Sequence, residues 1–194
     1  MLRRLLLSAL LLTLAAEARA QAPVAPRDSA TTIVFLVRHA EKASETETDP
    51  ALSPAGRARA EALAGALAGS RVTGVVVTQR RRTGDTAAPL AGPLGVVPDT
   101  IPLGGTVASH AAAVAARIRA RHRGGTVLVV GHSNTIPPIM AALGAPALPD
   151  LCDASYDQLF MVVLRGGAEP AVTRARFGAA SPAGGADCTG MQAR

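Results

Sequence analysis

Aromatic side chains are scarce in this sequence. Its 194 residues include three phenylalanines, one tyrosine and no tryptophan. Proteins that bind single-stranded nucleic acid stack the bases on aromatic side chains set among basic ones, and no stretch of this chain combines the two. The sequence therefore predicts no nucleic-acid partner, although its formal net charge is +6.

Long apolar runs are lacking as well. A membrane-spanning helix needs roughly 20 consecutive apolar residues. The N-terminal run from Leu5 to Ala16 is shorter, and no later stretch qualifies. Because this run follows Arg3 and Arg4 and precedes a small-x-small triplet ending at Ala20, it has the layout of a cleaved secretory signal. The protein is predicted to be exported, periplasmic or secreted, with no stable membrane insertion after cleavage; an uncleaved anchor is the alternative.

The predicted organisation is a single domain with short flanking segments. Residues 1–20 are the signal peptide, and losing them would remove three basic residues and one acidic residue, lowering the formal charge of +6 to +4. Residues 21–30 contain two prolines and are predicted to be a linker. Residues 31–178 have the length of one ordinary domain. Residues 179–194 are rich in Gly, Ala and Pro and are predicted to be irregular.

Cysteine is rare, with two residues in the chain. In a compartment that permits disulfides, Cys152 and Cys188 could join the C-terminal tail to the loop near residue 152. The sequence leaves open whether they do, because it gives no distance between them.

Apolar runs alternate with helical patterns along the domain. Continuous β-branched runs predict strands buried on both faces of a parallel sheet, and helix starts are marked by capping residues and first-turn prolines. Strands are predicted at 33–37, 75–77, 127–130, 159–164 and 171–177, and helices at about 54–68, 82–90, 107–121 and from 136 onward. The predicted fold class is α/β, a three-layer sandwich with a mostly parallel central sheet and helices on both faces.

Two histidines occupy equivalent places at strand ends. His39 directly follows the first strand, and His132 directly follows the run 127–130. The carboxyl ends of the strands form the ligand crevice in an open α/β sheet, so both imidazoles are predicted to face one site. Arg38 stands beside the first histidine, and the guanidinium fork suits phosphate because it makes two charge-assisted hydrogen bonds.

Residues 80–82 are three consecutive arginines at the start of the second helix. Helix N-termini favour anions, so one or two of these side chains could reach the crevice. We expect Arg82 to point inward, and Arg80 and Arg81 to form a solvated basic face.

Four segments resemble one known family when taken in order. They match the Arg-His-Gly/Ala-Glu signature, a Leu-Ser-x-x-Gly helix start, a Ser/Thr element followed by Arg-Thr and Thr-Ala, and a second-histidine element. The segments are residues 37–42, 52–60, 78–87 and 130–133. This pattern, spread over about residues 32 to 143, resembles the histidine phosphatase (phosphoglycerate-mutase-like) superfamily, and the compact phosphohistidine-phosphatase-like branch in particular.

The resemblance implies a metal-independent phosphatase with no cofactor that acts on a small phosphorylated substrate. His39 would be the nucleophile that becomes phosphorylated, and Arg38, Arg82 and His132 would surround the phosphoryl oxygens. Such catalysis depends mainly on fixed positive charge and in-line placement. A backbone carbonyl could orient His39 by accepting a hydrogen bond from the other ring nitrogen.

The proton donor to the leaving group stays open. Asp99, His110, Glu41 and Asp85 are candidates, and the glutamate element of sugar-phosphate mutases is not recognisable. The sequence does not indicate the physiological substrate or the oligomeric state.

A serine hydrolase, a phosphate-binding protein and a metal site are the alternative functions. A serine hydrolase using Ser133 would need glycine where Thr135 stands, because the tight nucleophile elbow depends on it. A non-catalytic phosphate-binding protein would need the same arginines. A metal site is disfavoured because the histidines lack ligand spacing and adjacent arginines would repel a cation.

Overall fold

The computed structural model describes residues 30–182. The predicted signal peptide, nearly all of the predicted linker, and Cys188 lie outside the described residues. Within them the chain forms, in order, β1 (Thr32–Arg38), α1 (Pro54–Leu67), β2 (Gly74–Val77), α2 (Arg81–Ala91), β3 (Asp99–Thr100), α3 (Val107–Arg121), β4 (Thr126–Gly131), α4 (Ile136–Ala142), β5 (Gln158–Leu164) and β6 (Ala171–Arg176). No described helix combines the length and the hydropathy needed to cross a membrane.

The strands form one mixed sheet in the order β3-β2-β4-β1-β5-β6. Strands β3, β2, β4 and β1 pair in parallel, whereas β5 pairs antiparallel with both β1 and β6. Strands β1 and β4 lie side by side in the middle, with Arg38 in register with Gly131. The residues that follow these two strands therefore emerge next to each other at one edge of the sheet.

Helices cover both faces of the sheet, as predicted. Alternate residues of β1 show this directly: Val34 and Leu36 belong to one apolar cluster, and Phe35 and Val37 to another. The first cluster contains residues of α3 and α4, and the second contains residues of α1 and α2. A strand with apolar residues on both faces needs a helix layer on each side, so the predicted three-layer α/β sandwich is confirmed.

Side chains cap the starts of α1, as predicted, and of α3, whereas α2 and α4 have no side-chain cap. The Ser53 side chain accepts a hydrogen bond from the Gly56 N–H at 3.0 Å, and Pro54 opens the helix. Thr106 and Ser109 form a reciprocal capping box at the start of α3. These caps satisfy N–H groups that the first helical turn leaves without backbone partners.

Strand β3 is not among the predicted strands. It consists of Asp99–Thr100 and lies two residues after the apolar pair Val96-Val97. Val97 is 87% exposed, and Pro98 has no N–H to donate to a neighbouring strand. Pairing with β2 therefore begins only after the proline.

Candidate active site

His39 lies at the carboxyl end of β1 and is buried, with 3% of its surface exposed. Its backbone N–H donates to the Gly131 carbonyl at 2.9 Å, which continues the pairing of β1 with β4. Its ring Nδ1 lies 2.8 Å from the Ala40 carbonyl. A carbonyl only accepts, so Nδ1 carries the proton and Nε2 keeps its lone pair.

The site keeps His39 neutral. Burial, as the largest cause, lowers its pKa to about 3; the hydrogen bond to Ala40 opposes that shift, and the charge of Arg38 adds to it. An imidazolium at the position of His39 would be poorly solvated and would lie beside the guanidinium of Arg38. At neutral pH the Nε2 lone pair is therefore available as a nucleophile.

His132 lies beside His39 at the end of β4, with the two ring centroids 5.2 Å apart. Its Nε2 is 3.1 Å from the Thr78 hydroxyl, and its Nδ1 is 3.4 Å from Nη2 of Arg82. Because a guanidinium only donates, Nδ1 accepts and Nε2–H donates to Thr78. Burial, and then the charge of Arg82, lowers the pKa of His132 to about 3, so this ring is also neutral at physiological pH.

Arg38 is fixed by the turn that precedes β5. Its Nη1 donates to the Cys152 carbonyl at 3.0 Å and to the Asp153 carbonyl at 2.5 Å. Its guanidinium lies 4.2 Å from the ring centroid of Tyr156, and Nη2 is 3.3 Å from the Asp153 carboxylate. These contacts hold the planar group in one orientation beside His39.

Arg82 reaches the site from the first turn of α2. Its side chain is 16% exposed, and Nη1 is 3.6 Å from the Asp49 carboxylate. Burial lowers the pKa of Arg82, yet an arginine keeps its proton at neutral pH. Arg81 is solvated as predicted, with its side chain 64% exposed and paired to Asp85. The prediction for Arg80 was wrong, because this residue is half-buried and borders the same cavity as Arg82; as the residue that precedes the first turn, it stays close to the ends of the strands.

These groups border one cavity of about 940 Å³ at the carboxyl edge of the sheet. Arg38, His39, Arg82 and His132 all line it, so the structure brings the four predicted site residues together. Nε of Arg38 and Nε of Arg82 are both buried, and neither has a hydrogen-bond partner within residues 30–182. The two guanidinium groups thus keep donors that the protein itself does not satisfy.

The other residues of the family-like motifs build the frame of this site. The Thr86 hydroxyl accepts from the Ala40 N–H at 2.9 Å and donates to the Arg82 carbonyl at 2.7 Å, which ties α2 to the segment after His39. Gly56 passes so close to that segment that a Cβ would lie 2.2 Å from the Glu41 carbonyl oxygen.

A buried ion pair fixes the same segment from α1. Nε of Arg59 contacts both carboxylate oxygens of Glu41 at 2.9 and 3.0 Å, and Nη2 contacts one of them at 2.7 Å. Nη1 of Arg59 donates to the Phe177 carbonyl. The motif glutamate is therefore structural in this chain.

The four candidate proton donors differ in whether they line the cavity. Asp99 is paired with Arg117, Asp85 with Arg81, and Glu41 with Arg59. None of these three carboxylates lines the cavity, whereas His110 does. Each of these carboxylates is paired with an arginine that does not line the cavity either.

Ser133 lines the cavity, but its hydroxyl donates to the Asp153 carboxylate at 2.9 Å. Both ring nitrogens of His132 are taken by Thr78 and Arg82, so His132 is not available as a base for this serine. Among residues 30–182, no group of three or more His, Cys, Asp or Glu side chains is placed to hold a metal ion.

Sequence reasoning missed the residues that hold Arg38. The Cys152 and Asp153 carbonyls act through the backbone, which no residue pattern reveals. The sequence places Tyr156 just before a predicted strand, where a crevice position and a turn position are equally consistent with the pattern. Cys152 is disulfide-bonded; its predicted partner, Cys188, lies outside the described residues.

Comparison with known proteins agrees with this geometry. A model of the histidine phosphatase superfamily (branch 1) matches residues 34–103, which include Arg38, His39 and Arg82. No curated protein is significantly similar to the chain in sequence.

Solved structures share the fold. A mycobacterial glucosyl-3-phosphoglycerate phosphatase is 19% identical with a TM-score of 0.60, and the alignment covers 77% of this chain and 100% of that one. The protein histidine phosphatase SixA, solved with tungstate, is 19% identical with a TM-score of 0.58 and coverages of 74% and 96%. A phosphoserine phosphatase mutant from Entamoeba histolytica is 17% identical with a TM-score of 0.52 and coverages of 75% and 96%.

Residues 34–103 therefore resemble the histidine phosphatase superfamily (branch 1), and the pair of histidines at the strand ends agrees with that match. The fold is shared with phosphatases, SixA among them.

Proposed function

We propose that this protein hydrolyses small phosphomonoesters through a phosphohistidine on His39. Arg38 and Arg82 bind the phosphoryl oxygens, and His132 joins them by turning its Nε2–H from the Thr78 hydroxyl to a phosphoryl oxygen when substrate enters. The observation that carries the proposal is the state of His39: a buried, neutral imidazole whose Nδ1 is fixed by the Ala40 carbonyl and whose Nε2 is left to attack.

The reaction proceeds in two displacements. In the first, Nε2 of His39 attacks phosphorus, the bond from phosphorus to the ester oxygen breaks, and that oxygen leaves as an alcohol after taking a proton. In the second, water attacks the phosphohistidine, releases inorganic phosphate and restores the neutral imidazole. The arginines supply fixed positive charge to the equatorial oxygens, which carry most of the charge in the transition state. This role needs no metal ion.

The two unsatisfied Nε donors support the assignment of the phosphate pocket. Arginine binds phosphate through pairs of N–H groups, typically Nε with one Nη. Nη1 of Arg38 is taken by two carbonyls, and Nη2 contacts the Asp153 carboxylate and the Tyr156 hydroxyl. Nε is the donor left without a partner among the described residues. A phosphoryl oxygen accepting from it would satisfy a buried donor that otherwise costs about 1–3 kcal/mol.

The test is hydrolysis of p-nitrophenyl phosphate in the presence of EDTA, followed by rapid quenching to trap the phosphoenzyme. Phosphohistidine is labile to acid and stable to base, so it differs from phosphoserine. The wild type should form it, and His39→Ala should not. Arg82→Ala should lose about 10²-fold or more in kcat/KM, because one fixed charge at the transition state contributes on that scale; Arg81→Ala, its exposed neighbour, serves as the matched control and should keep wild-type activity.

A wild-type protein that binds vanadate but hydrolyses nothing would support a phosphate-binding protein and refute the enzyme. The substrate panel should be broad, because the proteins that share the fold act on different compounds: a sugar-linked phosphoglycerate, phosphoserine and a protein phosphohistidine. A sugar phosphate, phosphoserine and a phosphohistidine peptide cover these chemistries.

We also propose that the protein acts outside the cytoplasm. The signal-like layout of residues 1–20 and the disulfide at Cys152 support export, because disulfides persist in oxidising compartments. Its substrates would then be periplasmic or extracellular phosphate esters. Fractionation and N-terminal mass spectrometry test this, and an uncleaved chain in the cytoplasm would refute it.

A further inference from the structure

The first displacement leaves open which group protonates the departing oxygen. An alcohol is a poor leaving group as an alkoxide, so a positioned acid is worth about 10²–10⁴-fold in rate. We infer that His110 of α3 is this acid. The inference rests on the proposed function and assigns a catalytic role to a residue outside the phosphate pocket.

His110 is placed at the cavity by a rigid local frame. It lies in the first turn of α3 and is buried, with 4% exposed, yet it lines the same cavity as His39 and His132. Its Nδ1 is 3.2 Å from the Pro102 carbonyl. Since the carbonyl only accepts, Nδ1 carries a proton in both charge states, and Nε2 is the nitrogen that gains and loses one.

The Pro102 carbonyl is itself fixed. The N–H of Ile101 donates to the Val77 carbonyl at 2.9 Å, and the N–H of Leu103 donates to Oε1 of Gln79 at 2.8 Å. Both contacts tie the loop before α3 to β2 and the residues after it. The imidazole of His110 therefore has a set orientation, as a proton donor in a transition state requires.

The proton balance closes with this residue. As imidazolium, His110 gives its Nε2 proton to the ester oxygen while His39 takes the phosphoryl group. The neutral Nε2 then accepts a proton from the water that attacks the phosphohistidine, which restores the imidazolium. One group thus serves as acid in the first displacement and as base in the second.

Two carboxylates also line the cavity, and each is less suited to this role. The Asp153 carboxylate contacts Arg38 and accepts from the Ser133 hydroxyl, and its side chain is 89% exposed. Asp150 is exposed at the rim. Imidazole is the side chain whose ordinary titration lies nearest neutral pH, which favours it over a carboxylate for giving and taking protons there.

The experiment compares leaving groups within one preparation of each variant. We would measure kcat/KM for p-nitrophenyl phosphate, whose leaving group needs no proton, and for glycerol 2-phosphate, whose leaving group does. In His110→Gln, the ratio of the first value to the second should rise by about 10²-fold or more relative to wild type. Because each ratio comes from one preparation, it is unaffected by the fraction of protein that folds. Asp150→Asn is the matched control and should leave the ratio at its wild-type value.

An unchanged ratio in His110→Gln would overturn the inference, and so would a ratio that rises in Asp150→Asn instead. Either result leaves the proposed function standing, provided that wild type and His110→Gln both form phosphohistidine from p-nitrophenyl phosphate. Failure of the wild type to form it refutes the proposed function itself, which separates the two conclusions.

Discussion

Acid should destabilise this protein steeply, because two buried histidines must stay neutral in the folded state. The pKa values of His39 and His132 are each lowered from 6.5 to about 3, mainly by burial. Between these values the unfolded chain binds a proton at each histidine that the folded chain does not. Stability is therefore complete above pH 6.5 and is lost as the pH falls toward 3.

The magnitude follows from the same shifts. One pKa unit corresponds to about 1.4 kcal/mol, so each histidine costs about that much for every pH unit below 6.5, and the pair costs about 3 kcal/mol per unit. By pH 4.5 the combined loss is about 5–6 kcal/mol, which is comparable to the whole stability of many domains.

Urea denaturation between pH 7 and pH 4.5 measures this loss. The matched comparison is the double variant His39→Asn, His132→Asn, whose slope of unfolding free energy against pH should be shallower than that of the wild type by about 3 kcal/mol per unit. Subtracting the two slopes removes the contribution of every other titrating group. Parallel slopes would show that the two imidazoles titrate alike in the folded and unfolded chains, and the derived neutral state of His39 would be wrong.

Two further predictions concern the frame of the site. Gly56→Ala should destabilise the protein by about 1–3 kcal/mol and lower kcat, because its Cβ would meet the Glu41 carbonyl oxygen at 2.2 Å; Gly65→Ala in the same helix meets nothing within 4 Å and should stabilise by about 0.5–1 kcal/mol. Thermal melts of both variants decide the matter, and equal shifts would contradict the close packing. Cys152→Ser should weaken inhibition by vanadate. The substitution keeps the backbone carbonyl that accepts from Arg38 but removes the disulfide that helps to fix the turn carrying it. An unchanged inhibition constant would mean that the turn keeps its shape without the disulfide.

Much of the fold could be predicted because its strongest signals are local. The apolar runs of β1 and β4 are buried on both faces, so their composition alone indicates interior strands of a parallel sheet. Ser53 and Pro54 mark the start of α1 in the same way. The predicted site residues also came together, because side chains that follow neighbouring parallel strands meet at one edge.

The remaining features depend on tertiary contacts that no local pattern contains. Asp99 and His110 are equal candidates in the sequence, and what separates them is the ion pair of Asp99 with Arg117 and the place of His110 at the cavity. The predicted exposure of Arg80 was wrong because it depends on how the whole helix layer packs beside the crevice. The hydrogen bonds from Arg38 to the Cys152 and Asp153 carbonyls could not be predicted from the sequence, since any residue type can supply a backbone carbonyl.

The hydrogen bonds from Arg38 to the carbonyls of Cys152 and Asp153 span separations of 114 and 115 positions along the chain. No fragment that ends before the turn at 152–153 can hold Arg38 in its observed orientation, even if the first four strands of the sheet have already formed. Phosphate binding should therefore appear late when the protein is synthesised or refolded, after residues 152–153 have packed against the end of β1. Recovery of vanadate binding would then report completion of the whole domain, and it would lag behind recovery of helical signal.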